Sequence, residues 1–375
     1  MAAPKFNVIL GSETGFLKGI NTSKDIWRNF NAIEVPQKSN EIISLNWIAG
    51  SESKLSVGSR DKRVAIFDID NFYFSEYELF NSGDGDLKSA MKIDKKTFVG
   101  LETGSLSVWS DGEIVQSIET GMNLSCMALN GNGNNILGTG GKESELKLWD
   151  LNNDLNQPRF EAKNVRNDWL NLRVPVWVTG IEYLDSSKVI TCTGHHQVRV
   201  YDPSVQRRPV LDMTWDEYPL TAMSLYHDNQ VIVGNTQGNM ALLDLRKGKL
   251  IHQFKGFAGS IRSLKCNSSQ SVVASCGLDR FLRLHDVNTK QLLYKKYMKS
   301  RLNCLLMTKQ NWKDFGDEEV QDGVPVDADS SKQADNDDDI WDHMEVVKTR
   351  TVKRHLKDEG ENFKQNKYKK STKKM

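Results

Sequence analysis

Leu55-Ser-Val-Gly-Ser-Arg-Asp-Lys-Arg-Val-Ala-Ile-Phe67 and Val231-Ile-Val-Gly-Asn-Thr-Gln-Gly-Asn-Met-Ala-Leu-Leu243 share one design: two short, alternating, β-rich runs flank a tight polar turn. Thr-Gly, Asp-Lys and Gln-Gly turns between such runs are hairpin signals, and we term the two runs strands b and c. Each hairpin ends in an aromatic or apolar residue followed by a polar one. That ending recurs at Ile20-Asn21, Phe67-Asp68, Trp109-Ser110, Trp149-Asp150, Tyr201-Asp202, Leu243-Asp244 and His285-Asp286. Successive copies lie 47, 42, 40, 52, 42 and 42 residues apart. Nine positions before each ending stands a small residue: Gly11, Gly58, Gly100, Gly140, Cys192, Gly234 and Cys276. In the fourth copy Gly138 also fits if the turn is longer.

From the second copy onward, another patterned run, strand a, precedes each hairpin: Ile42-Ile-Ser-Leu45, Leu87-Lys-Ser-Ala90, Leu124-Ser-Cys-Met127, Val178-Thr-Gly-Ile181, Leu220-Thr-Ala-Met223 and Ile261-Arg-Ser-Leu264. The first hairpin begins at Phe6, too near the terminus to own such a run, and the missing copy is Leu302-Asn-Cys-Leu305. A ring of sheets has no free edge only if the last unit closes on the first, and mixing strands from both termini in one sheet achieves this. Units of roughly 44 residues match four-stranded propeller blades. The reading is all-β: a seven-bladed β-propeller over residues 1–308, closed by a strand at 301–307.

The chain of 375 residues is long enough for a sizeable core, and 50 basic against 49 acidic residues leave a net charge of +1. As a whole it is neither polycation nor polyanion. No apolar run approaches the ~18 to 20 residues of a membrane helix, and Met1-Ala2-Ala3-Pro4-Lys5 opens no signal peptide. A soluble intracellular protein without membrane attachment is expected. Five cysteines, an odd number with no Cys-x-x-Cys, argue against disulfides and zinc ribbons. Cys192 and Cys276 occupy the small-residue position of strand b, and Cys126 and Cys304 equivalent positions of strand a. Such periodic placement marks small core fillers.

No catalytic constellation, cofactor motif or metal set emerges. His195-His196 falls in the hairpin turn that elsewhere reads Thr14-Gly15, Asp61-Lys62 or Asp279-Arg280, where adjacent side chains diverge and no third ligand is spaced to join them. Turn structure or surface recognition is expected there. Gly131-Asn-Gly-Asn-Asn135 lacks the lysine and following helix of a phosphate loop and reads as a turn. A propeller hydrolase would need a polar, histidine- or metal-lined channel, whereas the repeat predicts mostly packing residues.

The 52-residue interval between the fourth and fifth copies contains Lys163-Asn-Val-Arg-Asn-Asp-Trp-Leu-Asn-Leu-Arg-Val-Pro-Val-Trp177. With Pro158 to Ala162 as the outer strand d, the extra residues form a d-to-a loop. It emerges on the face of the b-to-c turns, near His195-His196. It reads either as an ordinary loop with Trp169 and Trp177 tucked against the blades or as an interface. Aromatic anchors beside guanidinium forks are typical of hot spots, which nominates Lys163, Arg166, Asp168, Trp169, Arg173, His195 and His196 as partner-binding residues.

Beyond residue 308 the character changes. Asp314 to Glu345 carries thirteen acidic residues and one lysine, net −12, and Lys348 to Met375 carries eleven basic and three acidic residues, net +8. Segregated blocks of this kind cannot bury enough apolar surface to order themselves, so 309–347 is expected as a disordered acidic linker and 348–375 as a disordered basic tail. The tail's Lys348, Arg350, Lys353, Arg354, Lys367, Lys369, Lys370, Lys373 and Lys374 suit nuclear and nucleolar targeting or contact with RNA phosphates.

The repeat resembles the WD-repeat family, whose namesake dipeptide stands intact in Lys147-Leu-Trp-Asp150; Asp61 and Asp279 occupy the family's structural aspartate position. Only one copy has Trp-Asp, and Gly256-Phe-Ala-Gly259 is the nearest remnant of the family's Gly-His. The 163–177 string, with Thr193-Gly-His-His-Gln-Val-Arg-Val-Tyr-Asp-Pro203 and Arg207-Arg-Pro209, resembles a family of nucleolar WD-repeat ribosome-assembly factors of animals and fungi. The resemblance implies a non-enzymatic scaffold for ribosome biogenesis, acting on nucleolar precursors of the large subunit and in rRNA processing. It further implies pre-ribosomal assembly factors as partners, pre-rRNA contact, a monomer within a larger particle, and release by an AAA-type ATPase. A second reading, substrate receptor of a ubiquitin ligase, rests on Leu243-Asp-Leu-Arg246, which approximates a Trp-Asp-x-Arg signature.

Overall fold

A computed structural model describes residues 6–309, apart from 49–51, 81–82, 131–134, 154 and 228. The acidic block, the basic terminus and residues 131–134 of the glycine-rich turn lie outside the described residues. The described chain forms seven four-stranded antiparallel sheets, and its only helical elements are two single 3₁₀ turns, at Lys38–Asn40 and Ser268–Gln270. Leu302–Met307 pairs with Val8–Ser12, which is followed by Leu17–Asn21 and Ile26–Asn29, so blade 1 joins both ends of the propeller. Blades 2 to 7 span 42–79, 87–119, 124–161, 178–214, 220–254 and 261–297. The first strand of every blade touches the first strand of the next around a closed circuit, which makes strand a innermost and leaves the ring without an edge.

The core is divided among the seams. Seven apolar clusters each straddle two neighbouring blades, such as Leu10, Ile20, Ala274 and Leu284 between blades 7 and 1, or Leu148, Val178, Val189 and Tyr201 between blades 4 and 5. The small residue of strand b is explained by this packing. A Cβ on Gly11 would lie 2.6 Å from Cys304 Sγ and 2.7 Å from Ile42 Cγ2, and one on Gly140 would lie 2.8 Å from Val178 Cβ. Strand a of the next blade occupies the space that a side chain would need. Pairing also decides the fourth copy: Gly140 opposes Cys126 as Gly100 opposes Ser89 and Gly234 opposes Ala222. Gly140, rather than Gly138, is the equivalent position.

The b-to-c turns all contain a residue at positive φ, among them Gly15 (88°), Lys62 (66°), Glu143 (59°), His196 (53°) and Arg280 (68°). Tight hairpin turns require that conformation. The aspartate ending strand c has a local duty as well: Asp68, Asp150, Asp202, Asp244 and Asp286 each accept the backbone N–H two residues on, shaping the c-to-d turn. The innermost strands are more polar than the repeat pattern predicts. Lys265 of blade 7 pairs with Glu182 of blade 5 at 3.1 Å, past blade 6. That pair raises the Lys265 pKa, chiefly through the Glu182 charge.

Candidate interaction surface

Strand d of blade 4 is only Phe160–Glu161, paired with Leu148 and Lys147. The Ala162 N–H still donates to Leu146 O at 2.9 Å, and there the chain leaves the sheet. Its exit is tied to the c-to-d loop of blade 5. Lys163 N–H donates to Arg207 O at 2.9 Å, Arg208 Nε donates to Asn164 O at 3.1 Å, and Arg207 holds Glu161 through its carbonyl (2.7 Å) and carboxylate (3.2 Å). The Asn164 amide donates to Val174 O at 2.6 Å and clamps the two legs of the loop together.

The returning leg lies against the b-to-c turns of blades 4 and 5. Glu143 N–H donates to Val176 O and Gly194 N–H to Trp177 O, both at 2.8 Å. Arg173 Nη1 sits 3.2 Å from Glu143 Oε2. The Trp177 ring packs edge-on to His195 at 6.2 Å, with Lys142 Nζ 5.7 Å from its centre. Burial lowers the His195 pKa, against the pull of the Glu143 charge. The His196 carbonyl accepts from Trp215 N–H at 3.0 Å while its Nδ1 is buried without a partner. Below them Glu145 has both carboxylate oxygens buried and unbonded; desolvation raises its pKa against the pull of Arg199 and Arg173.

Between the legs, residues 167–172 fold into a small self-contained turn. Asp168 Oδ1 accepts the Leu170 N–H at 2.9 Å and the Leu172 N–H at 2.8 Å, Asp168 N–H donates to Leu172 O at 3.0 Å, and Asn171 adopts φ 61°. Asn167 Nδ2 donates to the Asn171 carbonyl at 3.1 Å. Side-chain-to-backbone bonds of this kind fix a loop that lacks sheet partners. The ordered turn presents Trp169 at 90% exposure, with Leu170 and Leu172 more than half exposed. Arg166, also exposed, makes no ion pair or hydrogen bond with another described residue.

The two tryptophans therefore separate: Trp177 is tucked against the blades and Trp169 stands free. Arg173 and His195 converge on Trp177 and Glu143, Lys163 lies at the foot of the loop, and Arg166 and Trp169 lie at its outer turn. Asp168 spends its carboxylate within the loop and positions the others. Sequence reasoning overlooked Lys142, Glu143 and Glu145. For Lys142 and Glu143 a signal was available, because they form in blade 4 the b-to-c turn that contains His195-His196 in blade 5, whereas Glu145 lies within strand c. Among the described residues, no three His, Cys, Asp or Glu side chains cluster to hold a metal. Burial pushes the Cys192 thiol up to about 11 and Cys266 up to about 12, far from thiolate chemistry.

Comparison with known proteins adds to this geometry. The model of the WD domain, G-beta repeat, matches residues 248–286, from strand d of blade 6 through strand c of blade 7. WD repeat-containing protein 74 of Bos taurus is 41% identical over 94% of this chain and 93% of its own length, and the Homo sapiens protein is 41% identical with the same coverage. Ribosome biogenesis protein NSA1 of Yarrowia lipolytica is 27% identical over 60% of each chain.

Proposed function

This chain belongs to the WD repeat-containing protein 74 family, and from that premise we propose that it is a non-enzymatic scaffold of ribosome biogenesis. In this reading it works in the nucleolus on precursors of the large subunit, supports rRNA processing, and leaves the particle with the help of an AAA-type ATPase. What supports the biogenesis role is the similarity to ribosome biogenesis protein NSA1 of Yarrowia lipolytica, over 60% of each chain. The basic residues between Lys348 and Lys374 would supply the nuclear and nucleolar address.

One observation carries the mode of action: the ordered turn with Trp169 exposed over 90% of its surface, beside Leu170, Leu172 and the unpaired Arg166. Three apolar side chains and one free cation suit a protein socket with an acidic rim. Such a turn enters a complex with its backbone already fixed, so little ordering entropy opposes binding, and an aromatic–arginine pair of this kind concentrates binding energy. The partner is then an assembly factor that accepts the turn, with Arg173, Lys163, His195 and His196 around it.

Trp169→Ala combined with Arg166→Glu tests the reading and spares Arg173, which also pairs with Glu143. We expect loss of at least tenfold in co-sedimentation with large-subunit precursors, with an unchanged melting temperature. Full co-sedimentation of the folded variant would remove the turn from the interface. Recovery of a cullin adaptor in place of assembly factors would favour a ligase receptor built around Leu243-Asp-Leu-Arg246.

A further inference from the structure

The blade 7 sector of the same face carries a second set of cations and rings. Arg262 stands at the start of strand a, Arg280 closes the b-to-c turn, and Lys299 follows strand d, whose end is tied to that turn by Met298 N–H donating to Arg280 O at 2.8 Å. Four strands at about 4.8 Å spacing make this a row of roughly 15 Å, from the inner strand to the rim. Just below the row, register places Tyr297 opposite Phe281 and Lys295 opposite Arg283.

These side chains interleave. The Phe281 and Tyr297 rings lie 5.2 Å apart, Lys295 Nζ is 4.5 Å from the Phe281 centre, and Arg280 Nη1 donates to the Tyr297 hydroxyl at 3.1 Å. Arg283 lies between Phe281 (5.1 Å) and Phe257 (5.0 Å), locked by Asp279 at 2.5 Å. Tyr297 remains 45% exposed.

The acids nearby are already engaged: Asp279 by Arg283 and Glu13 by Arg301. Arg262, Arg280, Lys295 and Lys299 make no ion pair with a described carboxylate. The excess charge registers on buried Lys18, lowered to about 8 by desolvation and then by Lys299. Unneutralised cations on a folded surface call for a mobile anion, and flat rings among them for a planar one. Aliphatic side chains do not compete, because the exposed Leu292 and Leu293 lie at the opposite end of strand d.

We propose that this sector binds single-stranded RNA, with a base stacked on Tyr297 and Phe281 and phosphates held by Arg280, Lys295, Lys299 and Arg262. A single strand offers base faces to aromatic rings, which a duplex keeps in its own stack. A protein partner would leave the ring–cation alternation without a match. Choosing RNA as the polymer rests on the biogenesis role; the surface chemistry itself does not.

The test uses the full-length protein and a fluorescein-labelled, unstructured RNA 20-mer, read by anisotropy across a salt series. Lys62 and His196 hold the same turn position in blades 2 and 5 at φ 66° and 53°, so the backbone there accepts residues other than glycine and Arg280→Glu should keep the turn. Arg280→Glu with Lys295→Glu should weaken binding at least tenfold and flatten the salt dependence by roughly 0.7 for each phosphate no longer held. Tyr297→Ala should weaken it about tenfold with the salt slope kept, since stacking rather than charge is removed. Melting temperature is followed for each variant. Unchanged affinity in folded variants overturns the proposal, as does binding abolished only by changes at Lys367, Lys369 and Lys370. Tight binding of a peptide of residues 314–345 at this sector, with RNA affinity untouched, assigns the surface to the chain's own acidic block and also overturns it. None of these readouts depends on co-sedimentation with pre-ribosomal particles, so failure here and failure of the Trp169 turn are separable.

Discussion

Around Trp169 the exposed ring sits on an irregular loop held by Asp168 and Asn167, whereas Tyr297 sits on a regular strand beside Phe281. Both sites draw on aromatics and cations from the same face of the ring. At the loop, Arg173, Arg207 and Arg208 are consumed by internal contacts, leaving apolar tips and one free guanidinium. At blade 7 the acids are consumed instead, leaving free cations. Composition alone does not distinguish the two surfaces; they differ in which charges are already neutralised, and the proposed protein and RNA assignments rest on that difference.

The largest way to break the comparison is to disturb the seam beneath one site. Gly140→Val would set a side chain where Val178 already stands, 2.8 Å from the new Cβ. Overpacking of this sort costs about 3 kcal/mol, and the loop should lose its support as blades 4 and 5 separate. At the equivalent place under blade 7 stands Cys276, and Cys276→Ala should cost about 1 kcal/mol. Urea unfolding measures both; equal losses would mean that the two seams are packed alike.

The propeller was legible because its grammar is local: the small residue of strand b, the turn after it and the ending of strand c each answer a steric demand that repeats seven times. The displaced Leu302–Leu305 run showed the closure, since its pattern survives where its neighbours do not. The site was legible only in part. Spacing located the 163–177 loop, but nothing in the string separates Trp169 from Trp177, whose fates depend on the Gly194 and Val174 contacts. Glu145 and Arg199 were hidden for the opposite reason: they obey the strand pattern and reveal themselves only where two blades meet. Blade 7 was missed because Arg280, Lys295 and Tyr297 are spread over a turn and a strand and gather only through register.

Acid separates the two sectors by a smaller amount. Trp149 in blade 4 donates to Thr139 Oγ1 at 2.9 Å, and the equivalent residue of blade 7 is His285, buried against Phe254 and Phe257. Burial, then the charge of Arg283, pushes His285 down to about 4 from 6.5. With the folded value below the unfolded one, the unfolded chain binds the proton first as pH falls. The His285 contribution is thus complete above about pH 6.5 and lost progressively toward pH 4, about 2 kcal/mol of it by pH 5. His252, lowered chiefly by burial, acts in the same direction. His285→Tyr, which installs the residue found at Tyr201 in blade 5, should narrow the difference in urea midpoint between pH 7 and pH 5. An unchanged difference would place the acid-sensitive group outside this seam.

The smallest expected effect bears on what kind of order each site needs. Asp168→Ala removes the acceptor of two backbone N–H groups at 2.9 and 2.8 Å in a turn with no sheet to replace it. Each such bond contributes about 0.5 to 1.5 kcal/mol locally, and the turn is exposed, so the global melting temperature should hold while the Leu170 and Leu172 amides exchange hydrogen faster. The Trp169 ring then has to be ordered on binding, which should weaken partner affinity by about 1 kcal/mol, or roughly fivefold. Asp168→Asn keeps an acceptor and should recover most of that loss. Blade 7 contains no counterpart to this experiment, because its rings are positioned by strand pairing and cannot be loosened without opening the sheet. If Asp168→Ala binds its partner as tightly as the parent, fixed geometry is not what the loop contributes, and Trp169 reaches its socket by adaptation.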